Sequence, residues 1–234
     1  MINLKRANGI LLHISSLPGS YGIGEIGPEA FTFVDDLVEM GQTLWQILPD
    51  NPTDEYHCPY SATSAFANNP MLISLDNLIR DGWLNLNDVK SYPKTNFEKV
   101  DYLRFEKFKQ DLLKKAAANF EETKKDNQKF DFENYCEKNQ FWLNDYALFC
   151  TIQNFLGEQQ WIKWPKSFRT HQISAIEDVI EEHRDKINKI KIIQYLYDVQ
   201  WKELKNYANS KGIKIIGDIP IYVSYNSVDV WINQ

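Results

Sequence analysis

The sequence has 234 residues, of which 43% are hydrophobic and 14% aromatic, with only 10 glycines and 9 prolines. This composition indicates an ordered globular chain of one or two domains. A formal charge of −6 argues against nucleic acid or an anionic membrane as a partner, because both repel an acidic surface. Three cysteines, Cys58, Cys136 and Cys150, have no CxxC spacing and indicate neither a disulfide framework nor a zinc site, so we expect a reducing cytoplasm.

The N-terminal part of the chain predicts a βαβ unit. "GILLHI", residues 9–14, is a short apolar run that is typical of a strand buried on both faces, and "TLWQILP", residues 43–49, is a second such run. Between them, Pro28 occupies a first-turn position and Gly41 supplies a helix stop. Strand, helix and strand at this spacing predict two parallel strands joined by a right-handed crossover.

A third strand is predicted only at "IKIIGD", residues 213–218, after a helix whose end is marked by Gly212. The long stretch between the second and third strands exceeds the usual length of a connection and therefore must contain structure of its own. We expect residues 76–188 to form a mostly helical insertion. It lies between residues 1–75, which hold the first two strands and a long loop, and residues 189–234, which hold a helix, the third strand and the loop after it.

Two helices of this insertion are visible in the apolar pattern. One is marked by Phe105, Phe108, Leu112 and Ala116. The other carries apolar side chains around nearly its whole circumference, which predicts a buried helix: Phe141, Trp142, Tyr146, Leu148, Phe149, Ile152 and Phe155. The stretches "DNQKFD" and "WIKWPKSF" predict turn-rich connections.

The loop after the first strand, "SSLPGSYGIGEIG", contains Gly22, Gly24 and Gly27 at the spacing of a dinucleotide fingerprint. A pyrophosphate at a helix N-terminus requires that no anion compete for it, but Glu25 lies inside this loop. The more probable interpretation is a tight loop that needs the backbone freedom of glycine.

The loop after the second strand, "PDNPTDEYHCPYSATSAFANNP", combines aromatic rings with short polar side chains. Sugars bind to such surfaces, because a pyranose face stacks on a ring while its hydroxyls need fixed hydrogen-bond partners. Composition alone favours this interpretation and that of a merely well-packed loop equally.

Three blocks of the sequence together resemble a known family. They are "GILLHISSLPGSYGIGEIGPEAFTFVDDLVEMGQTLWQILP", "CPYSATSAFANNPMLISLDNL" and "KGIKIIGDIPIYVSYNSVDVW". In order and spacing they resemble the amylomaltases or disproportionating enzymes, the 4-α-glucanotransferases of glycoside hydrolase family 77. The blocks cover about half of the chain.

The resemblance implies an α/β fold, namely the N-terminal part of a (β/α)8 TIM barrel, about three strands, with a large and mostly helical inserted subdomain. It also implies transfer of an α-1,4-glucan segment through a covalent glycosyl-enzyme, with a carboxylate nucleophile and a carboxylic acid/base. In the family these acids follow later strands, so we expect them beyond Gln234 and expect the sequence to be incomplete. No metal or organic cofactor is expected, and the implied partners are malto-oligosaccharides and starch- or glycogen-type α-glucans.

Four residues carry over as candidate substrate contacts. By resemblance, Tyr60 matches a tyrosine that stacks near the cleaved sugar, and Asp218 matches an aspartate that hydrogen-bonds the sugar held there. Cys58 stands where many members have serine, and Tyr56 is a candidate outer sugar platform. The family pattern L-P-L-G-P-T-G is altered at Asp50, Asn51 and Asp54, which affects the expected glucan contacts of this loop.

Two other functions remain open at this point. A hydrolase of the α-amylase class would use water in place of the acceptor sugar, and the front part of the chain discriminates poorly between the two. A non-catalytic carbohydrate-binding protein is the other alternative. The sequence does not predict an oligomeric state.

Overall fold

A computed structural model of the chain describes residues 6–92, 100, 102–158 and 160–234. In chain order, its strands and α-helices are β1 (Gly9–Leu11), α1 (Pro28–Glu39), β2 (Leu44–Gln46), α2 (Leu75–Arg80), α3 (Leu86–Val89), α4 (Tyr102–Thr123), α5 (Asp126–Leu156), α6 (Lys166–Arg169), α7 (Ile173–Glu182), α8 (Arg184–Ser210), β3 (Lys214–Ile216) and α9 (Val228–Ile232). Short 3₁₀ helices cover Ile14–Ser16, Pro70–Leu72 and Trp161–Lys163.

The three strands form one parallel sheet in the order β1-β2-β3. Ile10, Trp45 and Ile215 lie side by side in its register. The predicted βαβ unit is therefore confirmed, with Pro28 at the start of α1 and Gly41 just past its end in a left-handed conformation, φ 67°. Parallel strands with a large, mostly helical insertion confirm the predicted fold class.

The expectation that the strands are buried on both faces is wrong for β1 and β3. Leu11 is 55% exposed and Ile216 is 41% exposed, whereas Trp45 in β2 is fully buried. The reason is position in the sheet: β2 has a neighbour on each side, while β1 and β3 are its edges. The Trp45 indole Nε1 also donates a hydrogen bond to the Leu12 carbonyl at 2.7 Å, just beyond β1.

The chain forms two compact units, each built from three segments. Unit 1 comprises Met1–Asp50, Asn69–Asn119 and Leu196–Ile219, and it contains the sheet. Unit 2 comprises Asn51–Asn68, Phe120–Tyr195 and Pro220–Gln234. The division into residues 1–75, 76–188 and 189–234 stays a prediction, and residues 1–5, 93–99, 101 and 159 of those ranges lie outside the described part of the chain.

In unit 1, the glycine-rich loop after β1 is tight and filled by the protein's own groups. Gly22 has φ 88°, and a Cβ on Gly24 would lie 1.9 Å from the Ile14 carbonyl oxygen, so neither position accepts another residue without strain. The Glu25 carboxylate is buried, where it accepts a hydrogen bond from the Leu75 N–H at 3.0 Å. These contacts support the tight-loop interpretation over that of a phosphate-binding loop.

A buried ion pair connects this loop to α4. Glu25 pairs with the Lys109 ammonium, which also donates a hydrogen bond to the Met71 carbonyl at 2.6 Å. Burial raises the pKa of the Glu25 carboxyl and lowers the pKa of the Lys109 ammonium, while the attraction between the two groups opposes both shifts. Neither charge could lose its partner without remaining buried and uncompensated.

The long helix α5 begins earlier than the sequence indicates. "DNQKFD" is its first turn and a half rather than a turn-rich connection, so that prediction is wrong. The Lys125 N–H donates to the Gln128 side-chain oxygen at 2.9 Å, and Asp126 lies in the first turn, where a carboxylate stabilises the helix dipole. This cap depends on the polar side chain of Gln128, and the spacing of apolar residues does not predict it.

The prediction that α5 is apolar and buried on every side is also wrong in part. Trp142, Tyr146, Leu148, Phe149 and Ile152 are buried. In contrast, the side chains of Phe141 and Phe155 are exposed: the Phe141 ring packs edge-to-face at 5.3 Å from the Phe66 ring, and the Phe155 ring lies tilted at 5.0 Å from the His183 ring. Within the described residues, no helix is both long and apolar enough to cross a membrane.

We predict that Lys109→Met destabilises the fold by about 3–5 kcal/mol, because it leaves the Glu25 carboxylate buried without a counter-charge. Glu25→Gln in the same chain should restore much of this loss, since the glutamine oxygen still accepts from the Leu75 N–H and carries no charge. Urea unfolding measures both variants, with Lys107→Met on the exposed side of α4 as the matched control, expected within about 0.5 kcal/mol of wild type. If Lys109→Met alone were as stable as Lys107→Met, the Glu25–Lys109 pair would contribute nothing to the free energy of unfolding.

Candidate functional site

The loop after β2 is tied at its base by one carboxylate in unit 2. Asp54 Oδ1 accepts a hydrogen bond from the Tyr56 N–H at 3.0 Å, and Asp54 Oδ2 accepts one from the Ser61 hydroxyl at 2.5 Å. The Asp54 N–H in turn donates to the Ser61 carbonyl at 3.1 Å, beside a single antiparallel bridge between Thr53 and Ala62. The loop is therefore a closed structure whose ends are fixed together.

Three predicted contact residues lie on the turn that this closure creates. The Tyr56 and Tyr60 side chains are 79% and 48% exposed, and Cys58 is exposed with a free thiol. His57 between them has φ 55°, a left-handed conformation that is uncommon outside glycine, and its N–H donates to the Asp54 carbonyl at 3.0 Å. Such strain is retained where the surroundings enforce it, and it is frequent at binding sites.

The C-terminal segment of unit 2 supports this loop from its other side. The Ser224 N–H donates to the Ala62 carbonyl at 2.8 Å, and the Val228 N–H donates to the Thr63 carbonyl at 3.0 Å. The Asp229 carboxylate accepts from the Ala65 N–H at 2.9 Å. The exposed rings thus project from a loop whose backbone the C-terminal segment holds in place.

An aromatic pair of the same unit was not predicted from the sequence. Phe66, also on this loop, packs edge-to-face against Phe141 of α5, and both rings are more than half exposed. Phe141 was assigned to a buried face. The signal that could have identified it is that a helix of this length rarely buries all its faces, so one of its apolar residues remains for the surface.

Asp218 lies in unit 1, two residues after β3, and is half-buried. Its Oδ1 accepts a hydrogen bond from the Ile219 N–H at 2.8 Å. The structure places Asp218 in the loop that follows a strand of the parallel sheet, as predicted. The other three candidates, Tyr56, Cys58 and Tyr60, belong to unit 2.

A polar cluster of unit 1 lies just beyond the C-terminal ends of β1 and β2. Asp50 Oδ2 accepts a hydrogen bond from the Tyr197 hydroxyl at 2.5 Å, and its carbonyl accepts from the Asn69 N–H at 2.7 Å. Burial, together with the Asp50 charge, raises the pKa of Tyr197 well above its ordinary value, so the phenol stays a donor. Asp50, which departs from the family pattern, therefore has a specific partner.

His13 belongs to the same region and is buried. Burial lowers the pKa of its imidazole, and the negative charge of Asp50 opposes that shift. Among the described residues, its Nδ1 has no hydrogen-bond partner. His13 has no metal-ligand spacing to another histidine, so its sequence position alone predicts no role for it.

The exposed side chains of this loop and Asp218 can take part in ligand recognition. Exposed rings offer stacking faces, and Asp218 offers a carboxylate that accepts hydrogen bonds from hydroxyls. In the part of the chain that the structure describes, no group of three or more His, Cys, Asp or Glu side chains could hold a metal ion.

Comparison with known proteins gives one consistent result. The profile of the family described as 4-alpha-glucanotransferase matches residues 12–234. The 4-alpha-glucanotransferase of Clostridium butyricum is 42% identical over 226 residues, which is 95% of this chain and 45% of that protein. The Streptococcus pneumoniae 4-alpha-glucanotransferase is 40% identical over 231 residues, which is 98% of this chain and 45% of that protein.

A solved structure shows the same similarity. The amylomaltase from Streptococcus agalactiae in complex with acarbose superposes with a TM-score of 0.91 at 38% identity, over 97% of this chain and 46% of that one. The chain therefore spans about half the length of the relatives that it matches.

We predict that His13 makes the free energy of unfolding depend on pH. Because burial lowers its folded pKa below the ordinary 6.5, the unfolded chain takes up a proton that the folded chain resists. The contribution is fully present above pH 6.5 and is lost as the pH falls toward the folded pKa. Urea unfolding between pH 7.5 and 5 should show a smaller loss for His13→Gln than for wild type; equal losses would contradict the prediction.

Proposed function

Because the chain belongs to the 4-α-glucanotransferase family, we propose that the whole protein transfers α-1,4-glucan segments between malto-oligosaccharides. The observation that carries this proposal is the match of the family profile across residues 12–234. The exposed rings of Tyr56 and Tyr60 on a fixed loop support it independently, because pyranose faces stack on such rings.

The proposed reaction is a retaining double displacement. A carboxylic acid protonates the glycosidic oxygen as the bond to C1 breaks, and a carboxylate forms a covalent bond to C1. The 4-hydroxyl of an acceptor sugar then gives its proton to the first group, now a base, and attacks C1 to release the carboxylate. We assign neither carboxylate to a residue of this chain and expect both beyond Gln234.

The residues of this chain have the role of binding and orienting the glucan. We assign Tyr60 to stacking against the sugar next to the cleaved bond, and Asp218 to hydrogen bonds with the hydroxyls of the sugar held there. Cys58 and Tyr56 are assigned to contacts further along the glucan. Their exposure leaves all three loop side chains accessible to a ligand.

The proposed substrates are malto-oligosaccharides and starch- or glycogen-type α-glucans. We also propose a cytoplasmic location, supported by three cysteines that all remain free thiols. The net charge of −6 supports the expectation that neither nucleic acid nor an anionic membrane is a partner.

Analysis of the products from maltotriose tests the proposed activity in the full-length protein. A transferase redistributes chain lengths and forms products longer than the substrate. Products that are only shorter would identify a hydrolase of the α-amylase class. Binding of maltotriose without any turnover would identify a non-catalytic carbohydrate-binding protein.

We predict that Tyr60→Ala lowers kcat/KM for maltotriose by roughly two- to tenfold, equivalent to about 0.5–1.5 kcal/mol for the loss of one stacking ring. Phe130→Ala is the matched control, because it removes an exposed ring of α5 outside the loop. Steady-state kinetics of both variants decide the outcome. Equal kcat/KM for Tyr60→Ala and the control would refute the stacking role.

Asp218→Asn is predicted to lower kcat while the fold stays intact. The change keeps the shape of the side chain and removes its charge, so it weakens bonds to sugar hydroxyls that tighten as positive charge develops in the transition state. Asp178→Asn on α7 is an exposed matched control and should retain wild-type kinetics. A variant in which only KM changes would show that Asp218 binds the substrate and the transition state equally.

A further inference from the structure

Unit 2 contains a cavity of about 420 Å³ that none of the four predicted substrate contacts lines. Its walls come from the 3₁₀ helix at Trp161–Lys163, from α6 and from the segment that leads into α9, and they include Trp161, Lys166, Arg169 and Tyr225. A volume of this size accommodates a small organic molecule.

One wall of the cavity is aromatic and held in a fixed position. The rings of Trp161 and Tyr225 lie 5.6 Å apart and are inclined by 33°. The Trp161 indole Nε1 donates to the Tyr225 carbonyl at 2.9 Å, and the Trp161 N–H donates to the Asn226 side-chain oxygen at 3.0 Å. Within this wall Trp161 is buried and Tyr225 is 65% exposed, so the tyrosine is the ring that a ligand can reach.

The polar lining contains two cations beside Thr170 and Gln234. Lys166 and Arg169 are the first and last residues of α6, and among the described residues neither is paired with a carboxylate. The Arg169 Nε is buried and has no hydrogen-bond partner in the described part of the chain. A buried donor without an acceptor is costly. Arg169 as a whole is only half-buried, so an anionic ligand in the cavity would bind the rest of its guanidinium group rather than Nε.

The charge of this lining contrasts with the rest of the protein. The chain carries a net charge of −6, so two neighbouring cations without a matching carboxylate are a local exception. Arg169 presents a planar fork that fits phosphate oxygens, and Lys166 adds a point charge one helical turn away. An aromatic ring beside such a pair matches a ligand that has both a sugar ring and a phosphate group.

We propose that this cavity binds a sugar that carries a phosphate group, with the pyranose against Tyr225 and the phosphate between Lys166 and Arg169. The site goes beyond the proposed transferase function and does not depend on it. Neither group alone meets all the features of the cavity, because a neutral sugar leaves the cations unpaired and free phosphate leaves the aromatic wall uncovered.

Isothermal titration of the full-length protein tests the proposal with three probes: glucose 1-phosphate, maltose and inorganic phosphate. Glucose 1-phosphate should bind roughly two- to tenfold more tightly than inorganic phosphate, because only it covers the ring as well. Its affinity should fall as the salt concentration rises, since the phosphate is held by charge. Maltose titrated in competition should not displace it from this cavity.

Variants locate the binding site. Arg169→Gln should weaken glucose 1-phosphate binding by about tenfold or more, the usual effect of losing a charged hydrogen bond. Tyr225→Ala should weaken the sugar phosphate and leave inorganic phosphate unchanged. Lys163→Gln, which removes an exposed lysine outside the cavity, is the matched control and should change neither. Thermal melting confirms that each variant is folded.

Several outcomes would overturn the proposal: no binding of glucose 1-phosphate, equal binding of inorganic phosphate, or equal affinities for Arg169→Gln and Lys163→Gln. Turnover of maltotriose is measured separately on the same samples. A protein that binds glucose 1-phosphate through Arg169 but does not transfer glucan would refute the proposed function and support this site. A protein that transfers glucan but does not bind glucose 1-phosphate would support the proposed function and refute this site.

Discussion

Unit 1 depends on the buried pair of Glu25 and Lys109, which joins segments that are 84 residues apart in sequence. Around this pair, the Leu75 N–H bonds to the carboxylate and the Met71 carbonyl accepts from the ammonium. The loop after β1, the segment before α2 and helix α4 are thereby fixed to one another at a single buried point. If the loop, the segment or the helix were displaced, Glu25 or Lys109 would be buried without its partner in a medium that solvates charge poorly. The pair therefore disfavours other arrangements of these three parts.

Hydrogen bonds to side chains have a similar role in the loop after β2. The three residues there that depart from the family pattern each have a partner within their own unit: Asp50 accepts from Tyr197, and Asn51 donates to the Ala67 carbonyl at 3.0 Å. Asp54 accepts from the Ser61 hydroxyl. Asn51 and Asp54 stand where the family pattern has glycine, so there a side-chain hydrogen bond replaces the backbone freedom of glycine, whereas Asp50 stands where the pattern has an apolar residue.

The parts of the fold that the sequence predicted are those with local causes. Pro28, Gly41 and Gly212 delimit helices through their own backbone preferences, and the apolar runs of β1 to β3 identify parallel strands. Burial was predicted less well because it depends on neighbours that are distant in sequence. Leu11 lies in a strand at the edge of the sheet and Phe141 packs against the exposed ring of Phe66, and local periodicity predicts neither fact.

The candidate site shows the same division between local and distant causes. Tyr60 and Asp218 were identified from motifs, since each follows a strand in a loop of distinctive composition. The cavity beside α6 was not, because "WIKWPKSF" predicts only a turn-rich connection and its partner Tyr225 comes from another part of the chain. Lys166 and Arg169 become a pair only through the single turn of α6, which sets them on one side of the helix.

The way in which these side chains are held has a consequence for measuring their roles. Tyr56, Tyr60 and Tyr225 are exposed, and the backbones that carry them are fixed by hydrogen bonds of other residues, such as Asp54 and Asn226. Removing the Tyr56 ring, which is 79% exposed, leaves those backbone bonds intact and sacrifices little buried area, so this substitution should change stability little. In contrast, the buried pair at Glu25 contributes to stability and has no exposed atom to offer a ligand. The side chains proposed to bind a ligand are thus different from the Glu25–Lys109 pair that stabilises unit 1, so single substitutions can test the two roles separately.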